Sequence, residues 1–334
     1  MKESNVQLPL AMPPYMTYHN QGGAAALLAA NPEYLNWYFN ECVILECNKR
    51  FLHGYTSPEI NVSNTSFEYV PYKETVYIPY RLLKGEIHKV IHRMLDNGYG
   101  VTFEGADDYY IPEKSWYQEN HFAHDGLICG YDDRDKTYSI FAYDQNWKYR
   151  VIRSPQASFG IAMRKGSSFL THGGGFICGI RTLGKPYPLD IPRILYRLRD
   201  YLNDPSADFS SGPDGKFYGI SVQDCLARYM GMLAEGQIPY ARKDRRVIRV
   251  IFEHKAFMLE RLIKVESVFG MHTPQRELYE SIAKESERMH LLYACYVRKE
   301  RKDLLYSLQS RLTEMKKREE DILNTWVSII EKEI

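Results

Sequence analysis

His124 and Asp144 are the residues of this 334-residue chain whose types and spacing best fit a catalytic role. His124 opens a strand-like apolar stretch and Asp144 closes the next one, with a turn of five residues between them. In an antiparallel hairpin, the start of one strand and the end of the next lie at the same edge of the sheet. A carboxylate placed beside an imidazole holds the ring in the tautomer that accepts a proton. We therefore predict a His124–Asp144 pair with His124 as general base.

Two alternatives stay open at this hairpin. Asn146 lies two residues beyond Asp144, and its amide would orient the imidazole instead if the register differed by one pleat. The residues also fit a purely structural interpretation, in which a histidine ends a strand and an aspartate begins a turn.

The residue types that bind metals or cofactors in other proteins do not form a known motif in this sequence. The six cysteines lack the close spacing of zinc and redox sites, so we expect reduced thiols. His88 and His92 lie one helical turn apart, but Lys89 replaces the expected Glu, and we predict an exposed helix face there. The phosphate-binding loop and the three-glycine dinucleotide fingerprint are missing as well. We predict no metal and no cofactor.

The composition argues against two classes of partner. Lys and Arg number 43 and Asp and Glu number 42, so the chain has no overall positive field for nucleic acid or an acidic membrane. No apolar run approaches the roughly 20 residues that span a bilayer. Residues 1–10 lack the charged and then apolar order of a secretion signal. We expect a cytoplasmic protein without nucleic-acid or membrane partners.

The hairpin belongs to the first of two predicted domains. Residues 1–187 alternate between helical and strand-like patterns, whereas residues 188–334 have helical spacing. In the middle strand of the hairpin region, Tyr138, Ile140 and Ala142 share one face and apolar residues also occupy the other, so both faces should be covered. We predict the α+β class, with an antiparallel sheet in the first domain and a helical bundle in the second.

The individual elements follow from periodicity and from caps and turns. The strands are predicted over residues 99–103, 124–131, 137–143, 148–153 and 175–183. The helices are predicted over residues 31–47, 81–96, 189–202, 222–233, 247–269, 275–298 and 302–333.

Two segments around the hairpin carry a resemblance to a known family. They are residues 121–132 (HFAHDGLICGYD) and 141–144 (FAYD). They resemble the His and Asp blocks of papain-like proteins related to bacteriocin leader peptidases, and more closely those of the butirosin biosynthesis protein H family. Three further stretches extend the similarity over most of the chain: residues 32–48 with WYF at 37–39, 218–220 (YGI) and 252–261 (FEHKAFMLER).

The resemblance implies a papain-like fold and a reaction. In catalytic members of the family, a cysteine takes an acyl group from a carrier-protein thioester and passes it to an amine. A thiolate attacks thioesters readily, and the covalent intermediate divides one difficult step into two. Carried over to this sequence, His124 would be the general base and Asp144 its orienting group.

The nucleophile is the part of the resemblance that does not carry over. The family has its cysteine at the start of the first helix, where the helix dipole lowers the thiol pKa, and the matching residues 18–26 (YHNQGGAAA) contain no thiol. The nearest alternatives are Cys42 and Cys47, which point apart on the predicted helix, so at most one could face His124. We take Cys47, at the predicted helix end, as the candidate nucleophile. A buried structural cysteine is the alternative interpretation.

Two functions of different classes remain. The first is acyl or aminoacyl transfer from a carrier-protein thioester to a small amine in bacterial peptide natural-product biosynthesis. The second is a catalytically inactive papain-like scaffold or binding partner of a nonribosomal peptide assembly line, which the missing thiol favours. An ordinary peptidase fits less well.

Two features of the C-terminal half bear on partners. The basic run at residues 242–246 (RKDRR) would suit the acidic surface of a carrier protein, although a solvated turn also explains it. The long final helices are compatible with a homodimer.

Overall fold

The chain forms two compact units, which are described separately. The computed structural model describes residues 5–53, 57–65, 69–70, 73–83, 85–169, 175–185, 187–203, 215–238, 244 and 246–334. One unit, the sheet unit, comprises Met1–Leu35 and Ser66–Tyr187; the other, the helical unit, comprises Asn36–Thr65 and Pro188–Ile334. Residues 36–65 therefore lie in the helical unit, although they were predicted to belong to the first domain.

The secondary structure is a mixture of helices and antiparallel strands. The strands are β1 Asn5–Gln7, β2 Leu45–Asn48, β3 Ile60–Val62, β4 Lys73–Pro79, β5 Gly100–Asp107, β6 Ala123–Asp132, β7 Thr137–Tyr143, β8 Tyr149–Pro155, β9 Phe176–Thr182 and β10 Lys216–Tyr218. The α-helices are α1 His19–Ala29, α2 Pro32–Glu41, α3 Ile87–Asp96, α4 Gln156–Gly166, α5 Ile191–Leu202, α6 Val222–Ala234, α7 Arg246–Phe269, α8 Pro274–Lys299 and α9 Asp303–Ile330. The predicted combination of an antiparallel sheet with C-terminal helices is confirmed.

In the described part of the sheet unit, seven strands form one sheet. Its order is β4-β9-β5-β6-β7-β8, and β1 pairs with the far end of β6. The predicted antiparallel meander is thus β6, β7 and β8. Alternation along β7 divides the core as expected, because Tyr138, Ile140 and Ala142 pack with α3 and α4, while Phe141 and Tyr143 pack with α1.

Two helices of the helical unit, α5 and α8, begin at side-chain caps. Asp190 accepts a hydrogen bond from the Arg193 amide at the start of α5, and Thr273 accepts one from the Arg276 amide at the start of α8. Such caps satisfy amide groups that have no partner within the helix. No helix within the described residues is both long enough and apolar enough to cross a membrane.

The helix predicted over residues 31–47 ends at Glu41, and a strand follows it. Arg261 of α7 donates to the carbonyls of Tyr38, Phe39 and Cys42 at distances of 2.8–3.0 Å. Tyr38 and Phe39 lie in the last turn of α2 and Cys42 directly follows the helix, so the guanidinium binds carbonyls at the helix end. The following residues form β2, which pairs with β3 and β10.

The same α7 contacts explain why residues 36–65 belong to the helical unit. His254 lies 2.7 Å through Nε2 from the carbonyl of Val43, and the ring is completely buried. Lys255, the next residue, points instead to Glu319 of α9, with 2.7 Å between the charged atoms. These two adjacent polar residues of α7 therefore point in different directions.

Candidate functional site

The predicted pair His124 and Asp144 lies at one end of the sheet. The β6–β7 ladder pairs Leu127 with Phe141, and three further residues along each strand lead to His124 and Asp144. The hydrogen-bonded ladder between β6 and β7 ends at Leu127. On its other side β6 pairs with β5, and there His124 lies opposite Ala106. The backbone thus places both residues at the same edge, as the hairpin argument required.

The side chain of Asp144 is hydrogen-bonded to the turn that follows it and to an arginine. Its Oδ1 accepts hydrogen bonds from the amides of Asn146 and Lys148, at 2.7 and 2.9 Å, and its Oδ2 accepts one from Arg150 Nε at 2.7 Å. Burial alone would raise the pKa of Asp144, but these hydrogen bonds outweigh it and lower the pKa. Asp144 therefore forms a turn anchor, and the alternative residue Asn146 is part of that same turn.

The carboxylate beside His124 is Asp108 rather than the predicted Asp144. His124 Nδ1 lies 3.0 Å from Asp108 Oδ2. Asp108 begins a 3-10 turn directly after β5 and is only 2% exposed, whereas the His124 side chain is 21% exposed. A carboxylate at Nδ1 accepts the proton of that nitrogen, which puts the basic lone pair on Nε2.

Two further charged groups face the imidazole. The Lys114 ammonium lies 3.3 Å from Asp108 Oδ1 and 3.4 Å from His124 Nδ1, and its side chain is 1% exposed. Asp125 Oδ1 is 3.9 Å from His124 Nε2. Burial raises the pKa of Asp125, and the nearby His124 opposes that rise. His124 is thus surrounded by two carboxylates and one ammonium.

A second imidazole–carboxylate pair is adjacent in sequence. His121 Nδ1 lies 2.7 Å from Asp107 Oδ2, and the other oxygen of Asp107 accepts from the amides of Tyr109 and Phe122. Asp107 is completely buried, and the His121 side chain is 52% exposed and stacked on the Tyr109 ring. The consecutive residues Asp107 and Asp108 thus each orient one histidine.

The loop between β5 and β6 connects Asp144 to this site. Glu113 accepts from Arg150 Nη2 at 2.6 Å and from the Arg153 amide at 2.9 Å. On the other side of Lys114, the Ser115 hydroxyl donates to the carbonyl of Asp144 at 3.1 Å. Asp144 consequently anchors the loop that carries Lys114.

Cys47 lacks the exposure that a nucleophile needs. It lies in β2, is fully buried, and its Sγ is 3.0 Å from Cys225 Sγ of α6. A thiol without exposed surface cannot receive an acyl group from a carrier, so the structure does not support this candidate. The predicted helical arrangement of Cys42 and Cys47 fails because α2 ends before both.

Four of the five other cysteines are buried as well. Cys42, Cys129, Cys178 and Cys225 are buried, and Cys295 of α8 is exposed in the helical unit. Within the sheet unit, burial raises the pKa of Cys129 to about 11. At neutral pH that group is a thiol rather than a nucleophilic thiolate.

The predicted exposed histidine face of α3 is instead half-buried. The His92 ring stacks on Tyr131 at 4.0 Å between centroids, and His88 Nδ1 lies 2.9 Å from the Tyr138 hydroxyl. The prediction was wrong because α3 packs these rings against β6 and β7. Within the described residues, no group of three or more His, Cys, Asp or Glu side chains could hold a metal ion.

The basic run at residues 242–246 is mostly outside the described residues. Of its members the structure describes Asp244 and Arg246, which pair with each other at 2.7 Å. The positive charge of Arg246 is therefore paired with the carboxylate of Asp244.

Comparison with known proteins does not assign the chain to a family. No protein-family model matches the chain, and no curated protein shows significant similarity to it.

Proposed function

We propose that the protein transfers an acyl or aminoacyl group from a carrier-protein thioester to a small amine, with His124 as general base and Asp108 as its orienting carboxylate. The sheet unit is proposed to be papain-like, as the resemblance implies. The observation that carries the proposal is the 3.0 Å contact between the buried Asp108 and the partly exposed His124.

The proposed reaction needs no covalent enzyme intermediate. The amine nitrogen attacks the thioester carbonyl while His124 Nε2 takes a proton from that nitrogen. The carbon–sulfur bond then breaks, and the imidazolium returns the proton to the departing thiolate. An amide and a carrier thiol result, and the histidine is restored. This route accounts for a retained histidine in a chain whose family position for cysteine holds none.

The local charges suit an amine acceptor. Asp125 is 39% exposed beside Nε2, so its carboxylate would attract an amine that is cationic in solution. The amine releases its extra proton to solvent before the reaction, and His124 takes the one remaining proton that the neutral nitrogen loses as it attacks. Asp108 stabilises the imidazolium formed during transfer, and its burial keeps it in place.

A second candidate function is a binding or scaffolding partner of a nonribosomal peptide assembly line that has lost turnover. The specific observation in its favour is the burial of five of the six cysteines, including Cys47. Under this proposal the His124–Asp108 pair serves only to hold the end of β6.

The two functions are separated by an assay with small thioesters. A panel of aminoacyl thioesters of N-acetylcysteamine is mixed with primary amines, and amide formation is followed by mass spectrometry together with thiol release. We expect His124→Ala to lower the rate by about 10²–10⁴-fold, the usual contribution of a general base. Asp108→Asn should lower it as well.

Two control variants sharpen the result. His272→Gln changes an exposed histidine of the helical unit, and Cys47→Ser removes the buried thiol; both should retain the wild-type rate. Equal loss in Cys47→Ser and His124→Ala would replace our mechanism with a cysteine mechanism. If no thioester and amine pair gives a rate that depends on His124, the scaffold is the better function.

A further inference from the structure

Lys114 is a buried cation that the proposed reaction does not use. Its side chain is 1% exposed, and the contacts of its ammonium are Asp108 Oδ1 at 3.3 Å and His124 Nδ1 at 3.4 Å. Burying an ammonium costs free energy unless a nearby charge compensates it, and Asp108 supplies that charge here. Lys114 therefore contacts both members of the candidate catalytic pair.

The loop holds this ammonium in place from both sides. Glu113 is bound by Arg150 and by the Arg153 amide, and Ser115 is bound to the carbonyl of Asp144. Because both neighbours of Lys114 are tied to the β7–β8 region, the lysine side chain is directed at the pair by fixed backbone.

The charge of Lys114 acts on the protonation of His124 in two ways. Asp108 alone would favour the imidazolium, because an opposite charge within about 4–6 Å stabilises the charged form. Lys114 cancels part of that attraction and also repels a proton on the imidazole directly. Asp125 also faces the ring, with its Oδ1 3.9 Å from Nε2, and the Phe122 ring lies 5.1 Å from the imidazole between centroids.

We propose that Lys114 is a positioning residue that keeps His124 neutral, with its basic lone pair on Nε2. The use of this state in catalysis rests on the proposed function, whereas the charge effect on His124 does not. Asp108 then fixes which nitrogen carries the proton, and Lys114 prevents a second proton from being held before the amine arrives.

The test uses diethyl pyrocarbonate, which modifies the unprotonated imidazole. Full-length protein is treated at pH 7, and the rate of modification at each histidine is read by mass spectrometry of peptides. In Lys114→Met, where the ammonium is absent, the rate at His124 should fall by about 3- to 10-fold, the size of effect expected from one nearby charge. Lys114→Arg, which keeps the charge, should stay close to wild type.

His121 provides an internal control in the same molecule. It is also held by a buried aspartate, Asp107, but the contacts of Asp107 are His121 and two backbone amides. Its rate should therefore not change in Lys114→Met. Equal slowing at both histidines would indicate a general change of the loop and would overturn the proposal.

Two other outcomes decide the matter. An unchanged or faster rate at His124 in Lys114→Met would contradict the proposal directly. If Lys114→Met fails to fold, as judged by circular dichroism, Lys114→Gln replaces it, because the amide can still donate to Asp108 without a charge. No substrate is present in this experiment, so its result is independent of whether acyl transfer is observed.

Discussion

Asp144 and Glu113 share the guanidinium of Arg150. Arg150 donates from Nε to Asp144 at 2.7 Å and from Nη2 to Glu113 at 2.6 Å. Asp144 thus influences the His124 site through the loop that carries Lys114, while Asp108 touches the imidazole itself. The acidic residue expected to orient the histidine follows β7, and the one that does so follows β5; these two strands flank β6, which carries His124.

This division of roles predicts different effects of two isosteric changes. Asp108→Asn should change the tautomer of His124, because the imidazole loses the carboxylate that accepts its Nδ1 proton. Asp144→Asn should leave the tautomer as in wild type, because Asp144 is bonded to the turn and to Arg150. Nitrogen-15 NMR of the histidine side chains measures this directly. A tautomer change in Asp144→Asn alone would show that Asp144 is the orienting group after all.

Cysteine reactivity tests the burial on which the thiol-independent mechanism depends. With iodoacetamide at neutral pH, Cys295 should react first, because it is the exposed cysteine of the six. Cys47 and Cys225 should react only after unfolding, and burial raises the pKa of Cys225 well above its usual value. Peptide mapping of labelled protein measures the order, with Cys295→Ser as the control that removes the fast phase. Rapid labelling of Cys47 that slows in His124→Ala would support a cysteine nucleophile instead.

The meander could be predicted from the sequence, whereas the partner of His124 could not. The alternation of Tyr138, Ile140 and Ala142 is visible in the sequence, and it correctly predicted that both faces of β7 are covered. The predicted strand at residues 99–103 was too short, because β5 continues to Asp107 through a bulge between Phe103 and Ala106. Gly105 adopts a positive φ of 85° there, a conformation that interrupts a regular strand pattern. With the full strand, the same hairpin argument applied to β5 and β6 leads to Asp107 and Asp108.

The end of α2 shows a second limit of sequence reasoning. The apolar run continues beyond Glu41, and the groups that end the helix come from Arg261, far along the chain. Local periodicity contains no signal for such a contact. For the same reason, the assignment of Cys47 to a strand beside Cys225 could not be made from the sequence, and the candidate nucleophile was chosen on a helix that does not reach it.

The stability of the helical unit should depend strongly on one buried ion pair. Lys255 and Glu319 are both completely inaccessible, and Glu319 also accepts hydrogen bonds from Tyr201, Gln223 and Tyr279. Lys255→Met or Glu319→Gln should each lower the free energy of unfolding by about 3–5 kcal/mol, because either leaves a buried charge without its partner. Urea unfolding measures the loss. The double variant should lose less than the sum of the two, and simple additivity would show that the two charges are not coupled.

Acid should destabilise the sheet unit through the histidines of α3. Burial lowers the pKa of both His88 and His92, although Asp133 opposes the effect at His92. In the unfolded chain these two histidines bind protons near pH 6.5, whereas in the folded chain they bind them only at lower pH. The stability that depends on their being neutral is therefore fully present above pH 6.5 and is lost as the pH falls toward their pKa values in the folded state. The urea midpoint should therefore drop between pH 7.5 and 5.5. His92→Phe keeps the ring stacked on Tyr131 and removes one titrating group, so its midpoint should drop less. An equal drop in wild type and variant would contradict the assignment to His92.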